Sequence, residues 1–264
     1  MLQIFIMSNT TTTINKFLLL LSAMIVSAGI HAQKSGTIIY KETGKLHFNI
    51  QGDAPPPPNL PTERNAQMIL YFTQDASLYM NDPSAKNDGG MMEEEDGGDG
   101  EHVQIKMDAP DNRTYCDLKN NTRIDQRDFM QRKFLVESDL KTSDWKLTGN
   151  QKMILNYPCQ EATRQDSTRK ITAWFTPAIP VSSGPSAFCG LPGLVLAVNI
   201  NDGDQTLTAT SVNLGEANAA KIVKPKDGKK VTEAEFDKIR DEKLKEMGIQ
   251  PGSGNNVIIR IDNH

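Results

Sequence analysis

Apolar and polar side chains alternate in steps of two along much of this chain, a period that commits the backbone to strands with one buried face. Leu46, Phe48 and Ile50 alternate with His47 and Asn49, and Val103, Ile105 and Met107 alternate with Gln104 and Lys106. Ile171, Ala173 and Phe175 share one face, with Thr172, Trp174 and Thr176 on the other. Further strand-like runs are 37–41, 68–73, 129–136, 153–157, 194–200 and 206–213. Hairpin-length spacers separate several of them, which predicts antiparallel pairing rather than βαβ units. The 264 residues are ample for one core. The expected fold is mainly β, built on an antiparallel sheet with a C-terminal helix.

Two segments interrupt the strands. Pro55–Pro58 and Pro61 lack backbone donors and predict an extended loop. Residues 81–101, with Gly89, Gly90, Glu93–Asp96, Gly97, Gly98 and Asp99, predict a flexible acidic loop. Near the end, Thr232 and Glu235 form a capping box ahead of the broken apolar stripe Phe236, Ile239, Leu244 and Met247, with Gly248 as the stop. That predicts a helix over 233–247. Val257–Ile261 then reads as a last strand returning to the main sheet, so that 232–264 is a helix plus a strand.

The N-terminal segment reads as an address. Residues 17–30 are nearly free of polar side chains, Lys16 is the only charge before Lys34, and Ser27-Ala28-Gly29-Ile30-His31-Ala32 ends the run. A basic start, an apolar stretch and a small residue at the cut describe a secretory signal peptide over 1–32, with Ala32 the last residue removed. The alternative is an uncleaved anchor, but the apolar run is shorter than the ~20 residues a bilayer demands. No later stretch is long enough to cross a membrane. The expectation is a single exported β-rich domain over 33–264, periplasmic, envelope-associated or secreted. A net charge of −4 argues against nucleic acid as a partner.

One motif carries specific geometry. Cys189-Gly190-Leu191-Pro192-Gly193-Leu194-Val195 leads into an apolar run. Pro192 and Gly193 predict a type II turn starting at Leu191, which launches a buried strand. The hexad Gly190-Leu191-Pro192-Gly193-Leu194-Val195 resembles the motif of the GLPGLI family of exported proteins, common in Bacteroidetes, with Val195 for the final Ile. Asp144-Trp145-Lys146-Leu147, Tyr157-Pro158-Cys159-Gln160-Glu161-Ala162-Thr163 and Ala173-Trp174-Phe175-Thr176-Pro177-Ala178-Ile179-Pro180 are similar, in order, to other pieces of that family. Asn156 stands where the family has Gly, and Glu161 where it has Lys. The resemblance spans 144–200 and implies no established activity. Its strand order is similar to that of periplasmic lipoprotein carriers, whose half-barrel has an apolar concave face; that likeness is one of fold.

The chain has three cysteines, Cys116, Cys159 and Cys189. Export implies an oxidising compartment and one disulfide. The resemblance favours Cys159 with Cys189, since both lie in its core; three buried thiols are the alternative. Trp174 is expected either in the core or lining a ligand cleft. Met80, Met91, Met92, Met107 and His102, with the carboxylates of Glu93–Asp96, Asp99 and Glu101, have the chemistry of copper or calcium ligands but no recognised spacing, so a solvated loop without metal is expected. There is no H-E-x-x-H, C-x-x-C, P-loop or G-x-G-x-x-G, and Gly184-Pro185-Ser186-Ala187-Phe188 fails the nucleophile elbow at its last position. No catalytic residue and no cofactor is assigned. The sequence thus predicts a non-enzymatic exported binding protein holding an apolar or peptide-like ligand in a curved sheet. The alternative is a structural accessory of an outer-membrane transporter of the TonB-dependent type, reached through an exposed edge such as Val257–Ile261.

Overall fold

Two antiparallel meanders, sewn together along one seam, account for nearly all of the structure. The computed structural model describes residues 34–51, 62–85, 88–94, 103–108, 110–140, 144–165, 169–215, 219–246 and 256–260. These lie within one unit, Gln33–His264. The signal-like segment 1–32, the proline run, Gly248 and most of the acidic run lie outside the described residues.

The first meander comprises β1 (Gly36–Lys45), β3 (Glu63–Phe72), β4 (Ala76–Asn81), β7 (Arg113–Asp117), β8 (Thr122–Phe129) and β9 (Arg132–Asp139). The second comprises β10 (Lys146–Ile154), β11 (Tyr157–Gln165), β12 (Lys170–Thr176), β13 (Leu194–Ile200) and β14 (Gln205–Leu214). β1 and β14 pair antiparallel from Gly36↔Leu214 to Gly44↔Gln205, which fuses both into one 12-stranded sheet. Its order is β10-β11-β12-β13-β14-β1-β3-β4-β7-β8-β9-β15, where β15 (Lys229–Val231) joins β9 in parallel. The sheet is not closed.

The predicted strands at 194–200 and 206–213 match β13 and β14. Two other predicted runs are corrected, because each spans a hairpin turn. Met130 and Gln131, at φ 51° and 60°, divide 129–136 between β8 and β9; Leu155 and Asn156, at 47° and 65°, divide 153–157 between β10 and β11. Positive φ at both central residues fits the right-handed twist of a tight hairpin, and nothing in the hydrophobic pattern reports it. Asn tolerates that conformation better than other side chains, which accounts for Asn156 where the resembled family has Gly.

The acidic segment is also corrected in part. β5 (Asp88–Glu94) pairs antiparallel with β6 (Val103–Asp108) as a separate two-stranded sheet, so 88–94 is strand rather than loop. The last strand, β16 (Asn256–Arg260), does not return to the main sheet. It pairs in parallel with β2 (His47–Gln51) as another two-stranded sheet, backbone hydrogen bonds being equally satisfied there. The predicted helix is α1 (Glu233–Glu246). Its capping box forms: the Thr232 N–H donates to Glu235 Oε2 at 2.7 Å, and the Glu235 N–H donates to Thr232 Oγ1 at 3.2 Å. Phe236 alone is buried, edge-on to Phe134 of β9. No helix among the described residues is long and apolar enough to cross a membrane.

The core lies between the sheet and the 177–193 segment linking β12 to β13. Ile38, Tyr40, Leu70 and Phe72 pack with Phe175, Ile179, Val181, Phe188 and Leu191. Ser183 Oγ donates to Ser77 Oγ of β4 at 2.8 Å and the Val195 N–H of β13 donates to Ser183 O at 2.9 Å, so the segment is fastened to both meanders, while Tyr40 Oη of β1 donates to Val195 O at 2.6 Å. The expected type II turn is not formed. The Gly193 N–H bonds back to Leu191 O at 2.8 Å, an i to i+2 bond centred on Pro192, while the Leu194 N–H bonds to Ile179 O at 3.0 Å. Gly193 has φ 157° instead of roughly +80°. Its requirement is space: a Cβ there would lie 2.3 Å from Thr176 O.

Candidate functional site

Along β1, Ile38, Tyr40, Glu42 and Gly44 share one face, opposite Leu70, Met68, Ala66 and Arg64 of β3. The 177–193 segment covers the first half of that row. Over the second half the face opens into a cavity of about 1050 Å³, with Ser186, Ala187, Phe188 and Cys189 as its floor. The sheet must curl to make it. Arg123 of β8 is in register with Cys116 of β7, whose Sγ lies 4.0 Å from Cys189 Sγ. Trp145 Nε1 donates to Cys189 O at 3.4 Å and carries the Arg164 guanidinium of β11 over its ring at 4.8 Å. In a flat sheet of this order, β8 and β11 would be roughly 38 Å apart at about 4.8 Å per strand.

The lining mixes apolar side chains, among them Leu46, Met68, Phe188, Ile200 and Leu207, with charged ones. Arg64, Arg123, Arg127, Arg164 and Arg169 face Glu42, Asp125, Asp139, Asp144, Glu233 and Asp237 around the cavity. The wall from β8 is a row of alternating sign, Arg123, Asp125 and Arg127, at strand spacing of two. Asp125, nearly buried, lies 3.0 Å from Arg123 Nε and 3.4 Å from Arg127 Nη2. Arg127 forks onto both Glu233 oxygens at 2.8 Å and lies 4.7 Å above the Phe236 ring, so it also anchors α1. Burial alone would raise the Glu233 carboxyl, but Arg127's hydrogen bonds and charge outweigh it and hold the group below its ordinary 4.5. Arg123 Nε, although close to Asp125, is buried and misaligned for any hydrogen bond.

The sequence-based site residues fall in different places. Gly190–Val195 is structural, the end of the plug and the start of β13. Trp174 does not line the cavity. It lies half-buried on the other side of β12, with Lys152 Nζ 4.1 Å over its ring. Cys159 and Cys189 are not paired. All three thiols are free: Cys159 Sγ bonds to Tyr157 O at 3.4 Å, and the neighbour of Cys189 is Cys116. Glu161 accepts from Thr148 Oγ1 and Asn150 Nδ2, both at 2.7 Å, and so secures the bulge of β10. Among the described residues, no group of three His, Cys, Asp or Glu side chains is gathered for a metal ion. The arginines escaped notice in the sequence because strand-facing charge reads as solvent-facing. The signal available was Arg123-x-Asp125-x-Arg127.

A family profile described as "Protein of unknown function (Porph_ging)" matches residues 163–197, from β11 through the Gly190–Val195 motif. The match supports likeness to a family of unknown function and does not carry the GLPGLI name. No curated protein is matched. The chain is similar in fold to PNGF-II in two crystal forms. The P21 form gives a TM-score of 0.51 at 18% identity over 78% of this chain and 33% of that one. The C2 form gives 0.52 at 17% over 78% and 32%. The chain thus spans about a third of the length of PNGF-II, and at this identity the likeness is one of fold.

Proposed function

We propose that this chain is an exported, non-enzymatic binding protein of the cell envelope, and that its ligand is polar and peptide-like. The observation that carries this reading is the cavity of about 1050 Å³ lined by guanidinium and carboxylate groups together. Its size suits a ligand of a few residues, since small-molecule sites run to ~300–1,000 Å³. A charged wall favours a ligand that brings both signs, because each charge buried on binding must be met by an opposite one. Arg123 lines the cavity with its Nε 3.0 Å from Asp125 Oδ2, so a ligand carboxylate would share this guanidinium with Asp125. The apolar side chains between the charged groups, Met68, Phe188, Ile200 and Leu207 among them, leave room for the apolar parts of such a ligand. The test is native mass spectrometry of the protein taken from its own envelope. A retained peptide that is lost in Arg123→Ala supports the reading; a retained lipid, or a peptide held equally by the variant, overturns it.

A second reading, a structural accessory of an outer-membrane transporter, rests on a different place. β10 is a sheet edge, and its Leu147 and Met153 are 60% and 63% exposed. An edge strand presents unpaired backbone groups that a partner strand can satisfy. The predicted edge at Val257–Ile261 falls largely in β16, which pairs with β2 along one side. A photocrosslinker at Gln151 that captures an outer-membrane protein in intact cells supports this reading, and crosslinking to nothing discards it.

A further inference from the structure

We infer that Cys116 and Cys189 form an oxidisable dithiol, and that its closure by exchange with a disulfide staples the 177–193 segment to β7 beneath the cavity, leaving Cys159 as a thiol. The two residues are 73 positions apart and their sulfurs lie 4.0 Å apart. They are 2% and 3% exposed, in a small apolar cluster with Leu140 and Leu118. From 4.0 Å, a modest rotation of both side chains brings the sulfurs to the roughly 2 Å of a bond. Cys159 sits on β11, with its sulfur turned to the Tyr157 carbonyl.

The two sulfurs have unequal roles. The Cys116 S–H donates to Cys189 Sγ. That hydrogen bond raises the Cys116 thiol and lowers Cys189, and the nearby charges of Arg123 and Arg164 lower Cys189 further, against burial and Asp125. Burial pushes the Cys159 thiol up to about 11. Cys189, unlike Cys116, is among the residues that line the cavity, and at 3% exposure it meets a disulfide-bearing molecule through a local opening of the 177–193 segment.

The exchange balances with an external disulfide, R–S–S–R, such as oxidised glutathione or the disulfide of an oxidoreductase. The Cys189 thiolate attacks one sulfur of that bond, the S–S bond breaks, and one R–S⁻ departs and takes a proton. Cys116 then gives up its proton and attacks Cys189 Sγ in the mixed disulfide. The Cys116–Cys189 bond forms, and the second R–S⁻ leaves and is protonated. Two thiols of the protein are oxidised and one external disulfide is reduced to two thiols.

The test uses the whole chain, reduced and then equilibrated with oxidised glutathione. The expected product has lost two hydrogens, is labelled at one cysteine only when unfolded and alkylated, and yields a peptide pair linking Cys116 to Cys189. Its Tm is expected to rise by about 10 °C, reversibly with dithiothreitol. Three labelled cysteines, or any link that includes Cys159, overturn the proposal. Cys116→Ser separates the two sulfurs: it is expected to accumulate one glutathione on Cys189, whereas Cys189→Ser leaves Cys116 unmodified. Equal modification of both variants overturns the assigned order of attack. Should either variant fold poorly, Cys159→Ala keeps the test: it must close its disulfide as completely as the parent chain, and failure to do so overturns the assignment.

Discussion

The two ends of one sheet face are filled in opposite ways. Where β1 presents Ile38 and Tyr40, the 177–193 segment fills the space with Ile179, Val181 and Leu191. A few residues further along the same row, Glu42 and Gly44 look onto guanidinium groups and open space. β1 keeps one unbroken register with β3 through both ends. What differs is whether the chain supplies its own apolar filler. A curled sheet needs an apolar plug to hold its shape, and it holds an open polar basin only because that plug is elsewhere on the same face.

Substitutions separate the ends most sharply by size of effect. Phe175→Ala at the plugged end is expected to cost about 4 kcal/mol in urea unfolding, as a fully buried aromatic leaves a void. Gly184→Ala comes next, at about 3 kcal/mol, because a Cβ there meets Phe188 O at 2.2 Å and Val195 Cβ at 2.7 Å, and neither is a flexible tip. At the open end Arg127→Ala is expected to cost only about 1 kcal/mol. Its partner Glu233 is half-exposed, and Asp125 retains Arg123. A loss at Arg127 equal to that at Phe175 would erase the contrast.

The ends also titrate apart. At the open end, burial would raise Glu233, but Arg127 holds it below its ordinary value; outside the cavity lining, Arg113 and Lys133 do the same for Asp111. Such a lowered carboxyl stabilises the fold above its unfolded value near 4, and that contribution disappears as pH falls through the lower folded value. At the plugged end, burial raises Tyr40 well above its ordinary 10. Its contribution is intact below pH 10 and declines as pH climbs from there towards the raised folded value, since the unfolded chain ionises first. Thermal melts across pH are therefore expected to show an acid limb weakened by Lys133→Ala, which removes a partner of Asp111, and an alkaline limb weakened by Tyr40→Phe. The smallest effect lies outside both ends. Asn156→Gly relieves a positive φ of 65° and is expected to stabilise by about 0.5 kcal/mol or less.

The plugged end was the legible one. Leu194–Ile200 and Thr206–Asn213 announce themselves by their apolar period, while at the open end Thr232 with Glu235 announces only the start of α1. The open end was nearly invisible, because Arg123, Asp125 and Arg127 alternate with Ile124 and Gln126 and therefore look like a solvent-facing row. Only the curl of the sheet brings that row opposite Arg164 and Glu42, and curl is a property of strand order, which no single strand encodes. The thiol pairing failed for the same reason. Cys159 and Cys189 are near in sequence, but Cys116 is near in space, carried there by β7.

The seam between β1 and β14 also fixes an order of events. Thr210 Oγ1 donates to Ile39 O across 171 positions, so the two meanders join through some of the most distant contacts in the chain. Each meander is built from neighbours and closes locally, while the seam must wait for both and for the long intervening loop to be drawn shut. Until then β1, paired with β3 on one side, is an open edge on the other, able to pair with a stranger. Refolding is therefore expected to show a fast local phase followed by a slow zippering phase, with misassociation falling in the interval between them.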